Sequence, residues 1–316
     1  MTETKKGVFA LVAACTIWGL SPLFYKALSD IAPLEVLAHR TLWSCAFFTG
    51  VLALQGRLRA LWHAVSSLAS VRVIALAAVL ISTNWFLFIY SVFVSRATEA
   101  SMGYYIFPLV AVLLGRIVLG ETLSRAQWIA ITLATVAVLS LTIGLQIVPW
   151  ISLVLATTFG LYGLIKKRLD LGPVVSVTAE VLLLSPLAAG WLIFLHSGQG
   201  GVYGEDALQT ALLMTSGPIT ALPLILFSYG ARRLTMSTVG IVQYINPTLQ
   251  FFCAVLIFGE PFGPIHLVAF ALIWTALAIY SGSAYGQDRA RRRAVMVSEA
   301  EVVVATNSSS DAPAKP

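Results

Sequence analysis

YIFPLVAVLLGRIVLGE, residues 105–121, returns as YINPTLQFFCAVLIFGE at residues 244–260, without a gap and 139 positions later. Tyr105/Tyr244, Ile106/Ile245, Pro108/Pro247, Gly120/Gly259 and Glu121/Glu260 coincide. Each copy is an apolar run with a proline near its start and a Gly-Glu pair at its end. An apolar helix of about 20 residues spans a hydrocarbon core roughly 30 Å thick. The repeated element therefore reads as a membrane helix written twice.

The rest of the chain agrees. Of 316 residues, 58% are hydrophobic and 11% charged, against about a quarter charged in soluble domains. Ten apolar runs of spanning length follow one another, at about 7–28, 34–54, 72–95, 98–119, 126–145, 147–165, 173–195, 208–230, 235–258 and 263–285. The fold class is an all-α polytopic membrane protein. Lys5-Lys6 precede the first run, but no small-residue cleavage site follows, so this run reads as a retained span. Cys15, Cys45 and Cys253 all fall inside runs, in no CxxC and no His/Cys spacing. They read as packing residues, and neither metal nor cofactor is expected.

Charge orients the chain, because cytoplasmic loops collect Lys and Arg. With the N terminus in the cytoplasm, the inner segments hold 16 of the 20 basic residues: Lys5, Lys6, Arg57, Arg59, Arg72, Arg125, Lys166, Lys167, Arg168, Arg232, Arg233, Arg289, Arg291, Arg292, Arg293 and Lys315. The outer loops hold only Arg96, while Lys26, Arg40 and Arg116 lie within runs. Both termini are expected to be cytoplasmic. The net charge of +6 then reflects topology, and no nucleic-acid partner is expected. Residues 287–316 read as a basic, headgroup-facing start followed by a disordered tail.

By this count the opening stretch is the fourth span and its echo the ninth, five spans on, so the two run in opposite directions. A second echo agrees: IWGLSPLFYK (17–26) resembles TFGLYGLIKK (158–167), at an offset of 141. Two inverted five-helix repeats follow, at 1–146 and 147–286. Inverted halves are a signature of secondary transporters, because two similar bundles facing opposite ways give two nearly equivalent shapes. Pro108 and Pro247 each remove a helix hydrogen bond at matched positions and are read as paired hinges.

These residues also carry a resemblance. The stretches IWGLSPLFYK (17–26), HRTLWS (39–44), NWFLFIYSV (84–92), EASMGYYIFPL (99–109), LGE (119–121), FGLYGLIKKRL (159–169), QYINPT (243–248) and FGE (258–260) resemble RarD-type members of the EamA family, in the drug/metabolite transporter superfamily. The resemblance implies two five-helix repeats and a bacterial inner-membrane permease for small organic molecules. One departure is Phe107, where the family pattern usually has Asn.

Polar groups inside spans are expensive, so each is a candidate for function. Glu180 lies about seven residues into the seventh run, the only acidic residue placed well inside a span. It is read as coupling transport to protons or pairing with a cationic substrate group, against a fixed bond to Tyr162 or Asn84. In the second run Glu35 and His39 are spaced to pair on one face, with Arg40 and Trp43 on a neighbouring one. At a 1.5 Å rise per residue, about 12 Å separates Arg40 from Glu180 along the membrane normal, too far for a direct pair without a tilt or a bridging substrate. Arg40 is open to a structural partner or a substrate contact, and Lys26 reads as a snorkelling anchor. Gln243, Asn246 and Gln250 share one helical face. With Tyr104 and Phe107 at the matching positions of the fourth run, and with Trp18, Tyr25, Asn84, Trp85, Tyr90 and Tyr244, they are expected to line a cavity for an amphipathic small molecule. The bland alternative is interhelical hydrogen bonding by the amides and interface anchoring by the aromatics. The Gly-Glu pairs read as helix stops, the carboxylate capping the next helix.

No HExxH, GxSxG or clustered His/Asp ligands occur, and His39, His63, His196 and His266 are scattered, so an enzyme is not expected. No P-loop occurs either. A small-molecule transporter in the bilayer is the leading reading, with a passive channel or a membrane scaffold as alternatives.

Overall fold

The computed structural model describes residues 3–286 apart from 121, 167, 168, 199, 235 and 284. The tail at 287–316, the Glu121 turn, and the Lys167 and Arg168 charges therefore lie outside the described residues.

All regular structure among the described residues is helical. The elements are α1 (Glu3–Lys26), α2 (Pro33–Leu54), α3 (Leu58–Val65), α4 (Leu68–Phe93), α5 (Ala97–Leu119), α6 (Arg125–Leu145), α7 (Trp150–Lys166), α8 (Pro173–Ser197), α9 (Ala207–Ala231), α10 (Met236–Gln243), α11 (Ile245–Phe252) and α12 (Pro264–Ser283). Among the described residues nine candidate spans are long and apolar enough to cross a membrane, one of them formed by α10 and α11 together, and α7 is a shorter apolar helix. Side chains such as Ile117, Leu187, Ile193 and Phe194 stand about 70% exposed, which suits hydrocarbon and not water.

Local chemistry sets the helix ends. Pro33 and Pro173 occupy the first turns of α2 and α8, where the missing N–H has no helical partner to lose. Ser124 and Gln127 form a reciprocal capping box at α6. Gly120 ends α5 in the left-handed region at φ 69°, a conformation that glycine adopts without a Cβ clash.

The element not expected is α3. The segment between the second and third runs reads as a loop, yet Leu58–Val65 is helical and lays Leu61 and Ala64 against α8. Trp62, 72% exposed, sits on its outer side. This is the layout of an interfacial amphipathic turn.

Helices of the first 146 residues pack chiefly against helices of the remainder. α1 packs on α9 and α11, α2 on α8 and α9, and both α4 and α5 on α7. Small residues permit the close crossings. A Cβ on Gly217 would lie 2.5 Å from the Trp43 carbonyl carbon, and one on Gly19 would lie 2.7 Å from the Leu249 Cβ.

The repeated helix does not take the same form twice. α5 runs unbroken through Pro108. Its echo is interrupted at Tyr244, three residues before Pro247, and closes with a π-helical turn over Cys253–Ile257. Pro247 cannot donate to the Gln243 carbonyl, which is where α10 stops. The Gly-Glu ending also departs from expectation. Gly259 takes φ 68°, but Glu260 does not cap the following α12. Its carboxylate accepts from Ala97 N–H at 2.6 Å and Thr98 N–H at 2.7 Å, capping α5 from across the molecule. A sequence-local reading cannot see that partner.

Candidate functional site: a central cavity

Residues from α1, α2, α4, α5, α7, α8, α9, α10 and α11 enclose a cavity of about 290 Å³. That volume is at the small end for ligand pockets. Aromatic rings form much of its wall, including Trp18, Tyr25, Trp85, Tyr104, Phe159 and Tyr162. No Asp or Glu is among the described residues lining it.

Its polar groups divide into satisfied and unsatisfied. Asn84 donates to the Leu155 carbonyl at 2.9 Å and to Thr158 Oγ1 at 3.1 Å, and accepts from the Tyr104 hydroxyl at 2.8 Å. Its amide ties α4, α7 and α5 together, a structural duty. Gln250 donates to Asn246 Oδ1 at 2.9 Å, but its buried Oε1 has no partner. Arg40 is 6% exposed, and its Nε has no partner either. Its guanidinium lies over the Trp85 ring at 4.2 Å and the Tyr25 ring at 5.6 Å.

Glu180 is not isolated. Fully buried, it accepts from Lys166 Nζ at 2.5 Å, the Tyr162 hydroxyl at 3.0 Å and the Ser176 hydroxyl at 3.1 Å. The carboxylate stands behind the cavity wall, while Lys166 and Tyr162 are part of it. Burying a pair this way requires that its remaining polar atoms be bonded, and Tyr162 and Ser176 do that here.

Of the residues singled out from sequence, Trp18, Tyr25, Arg40, Asn84, Trp85, Tyr104, Gln243, Asn246 and Gln250 line the cavity. His39, Tyr90 and Tyr244 do not, and Glu180 reaches it only through Lys166; the Tyr90 ring packs instead against Phe86 and Trp150. His39 stacks on Tyr203 with ring centroids 4.6 Å apart. Glu35, expected to pair with it, instead accepts from Val202 N–H at 3.0 Å. Val202 and Tyr203, from the connection between α8 and α9, therefore meet the start of α2 and take both side chains. Tyr244 packs with the apolar cluster around Tyr105, Phe251 and Phe270. Phe107, where the family pattern has Asn, meets Phe159 at 4.8 Å and does not line the cavity.

Most of the residues missed from sequence share one signal, which Cys15, Pro173, Val177 and Ile219 lack. Trp18/Phe159, Ser21/Tyr162 and Tyr25/Lys166 are each 141 apart, and all six line the cavity. Ile81/Thr220, Trp85/Leu224, Phe88/Phe227 and Tyr104/Gln243 are each 139 apart, and all eight line it too. Carrying Trp18, Tyr25 and Trp85 through the offset leads to Phe159, Lys166 and Leu224. Arg40 and Glu180, 140 apart, are likewise matched: each lies seven residues after the proline that starts its helix.

Fold and cavity together define a multi-pass helical membrane protein with a solute-sized chamber among its helices. The chain belongs to the EamA-like transporter family, and within it to the RarD type. The family profile matches residues 5–143. Protein RarD of Streptomyces exfoliatus is 42% identical over 308 residues, covering 96% of each chain. An uncharacterized transporter, YojE of Bacillus subtilis, is 40% identical over 294 residues, 92% of this chain and 98% of its own. Protein RarD of Escherichia coli is 37% identical over 279 residues, 88% and 94% of the two chains. A solved crystal structure at 15% identity has the same fold, with a TM-score of 0.55 over 87% of this chain and 96% of that one.

Proposed function

We propose that this protein is a secondary transporter of the bacterial inner membrane that moves a small organic metabolite or drug by alternating access. It is built from two inverted five-helix halves, 1–146 and 147–286, with both termini in the cytoplasm. The observation that carries this reading is the pairing of cavity residues at offsets of 139 to 141. Two related halves contribute matched positions to one chamber, and exchanging their roles gives the second, oppositely open shape. The α10–α11 interruption at Tyr244 supplies a bending point beside Gln243 and Asn246, both in the cavity wall.

Glu180 is the coupling group in this reading. A proton on its carboxylate removes the counter-ion of Lys166 and makes the chamber more positive, so protons and solute act on each other's binding. Such coupling is reciprocal.

The test is solute counter-flow in proteoliposomes against a metabolite and drug panel. Exchange accelerated by substrate on the far side is the expected result. Uptake that ignores far-side solute defeats alternating access and leaves a channel. Reporter fusions after residues 57, 125 and 232 should read as cytoplasmic, and those after 30, 147 and 203 as outside. A C terminus found outside would end the inverted-repeat reading.

A further inference from the structure

We infer that the solute of this chamber is an amphipathic organic monoanion, a carboxylate on an apolar body, and that Arg40 receives its charge. The inference rests on the transporter reading for its biology but on the cavity alone for its chemistry.

The cavity wall has two basic side chains, Arg40 and Lys166, and no acidic one among the described residues. Lys166 is neutralised from behind by Glu180. Arg40 is not: among the described residues no carboxylate lies within ion-pair distance of it, and its buried Nε has no hydrogen-bond partner. One positive charge therefore faces the chamber uncompensated. A buried charge without a partner is costly, and a ligand that supplies the partner recovers that cost on binding.

Geometry narrows the partner. The guanidinium carbon lies over the rings of Trp85 and Tyr25. Its donors lie in the plane of the group, where a carboxylate meets them side by side. The same two rings then offer an apolar surface to whatever the carboxylate is attached to. Lysine would offer neither the planar donors nor the stacking. A single uncompensated charge matches one anionic group. Gln250 adds a second requirement, since its unpartnered Oε1 calls for a donor on the solute, such as a hydroxyl or an N–H.

The experiment uses the full purified chain in detergent, read by tryptophan fluorescence and thermal melting. The probes are 3-phenylpropionate, 3-phenylpropanamide, 3-phenylpropylamine and phenyllactate, with sodium chloride as the inorganic control. The acid should bind about tenfold or more tightly than its amide or the amine, and phenyllactate more tightly than the acid lacking a hydroxyl. Arg40→Gln should weaken the acids about 30-fold or more, the scale for removing one partner of a buried charge pair, and leave the amide unchanged. Arg40→Lys should recover part of the preference. Equal binding of acid and amide, no response to any acid at millimolar concentration, or a response to chloride alone overturns the proposal. If Arg40→Gln does not fold, the acid-to-amide ratio of the unaltered chain still decides. Binding of this kind without counter-flow would sink the transporter reading and keep the anion site. Counter-flow of neutral solutes untouched by Arg40→Gln would do the reverse.

Discussion

The Glu260 carboxylate accepts both the Thr98 backbone N–H and the Thr98 hydroxyl, each at 2.7 Å. An acidic group at a helix N-terminus satisfies orphan donors and meets the positive end of the helix dipole. Here donor and acceptor stand 162 positions apart, so the cap also fastens the end of the π-helical turn to the start of α5.

Glu260→Ala should therefore lower thermal stability by about 1–2 kcal/mol, the range for losing a side-chain cap. Hydrogen exchange at Ala97 and Thr98 should speed up at the same time. An unchanged melting temperature with unchanged exchange would mean the tie contributes nothing.

Gly217→Ala tests the α2–α9 crossing. The added Cβ would overlap the Trp43 backbone, and forced overpacking costs about 1–3 kcal/mol. Because Trp43 lies three residues from Arg40 on α2, the variant should also lose affinity for cavity ligands. Full stability with unaltered binding would show that α2 has room to move.

The two prolines should not weigh equally. Pro247→Ala supplies an N–H for the Gln243 carbonyl and favours joining α10 to α11. Counter-flow should slow while equilibrium binding persists. Pro108→Ala should have the smaller effect, since α5 is already continuous. Unimpaired rates in both single variants and the double variant would reduce both residues to packing.

Glu180→Gln keeps the shape of the side chain and removes its titration, leaving Lys166 without its counter-ion. The variant should insert normally and lose both concentrative transport and its pH dependence. The sign is set by charge: protonating Glu180 leaves Lys166 unopposed, so in the unaltered chain anion affinity should rise as pH falls. In the variant it should be high and flat. Uphill transport with an unaltered pH profile would make the Lys166–Glu180 pair purely structural.

Long apolar runs announced most of the helices, because a span must satisfy its backbone internally over a fixed thickness. The short helix α3 was hidden among the charges of Arg57 and Arg59, although Leu58, Leu61, Trp62 and Val65 carry a helical period. The break at Tyr244 lay inside one uniform run, and proline alone did not mark it, since α5 passes Pro108 intact. In the site, Trp18 and Gln250 were legible as polar or aromatic groups where lipid-facing residues are the rule. Lys166 was not, because a lysine at a helix end reads the same whether it snorkels or pairs with Glu180. His39 was misjudged for another reason: its neighbour Tyr203 comes from a connection more than 160 positions away, and no local pattern encodes that return.

The unequal forms of the repeated helix, unbroken in α5 and split between α10 and α11, bear on kinetics. A carrier whose two gates differ in stiffness opens them at different rates, so half-saturation and maximal flux differ between the two sides of the membrane. Detailed balance limits that asymmetry. Without a driving ion, the ratio of maximal flux to half-saturation concentration is identical in both directions. A side with tighter apparent affinity must then have proportionately slower flux. Under alternating access the split helix can make the two sides unequal, but only a gradient of a transported species can set the net direction.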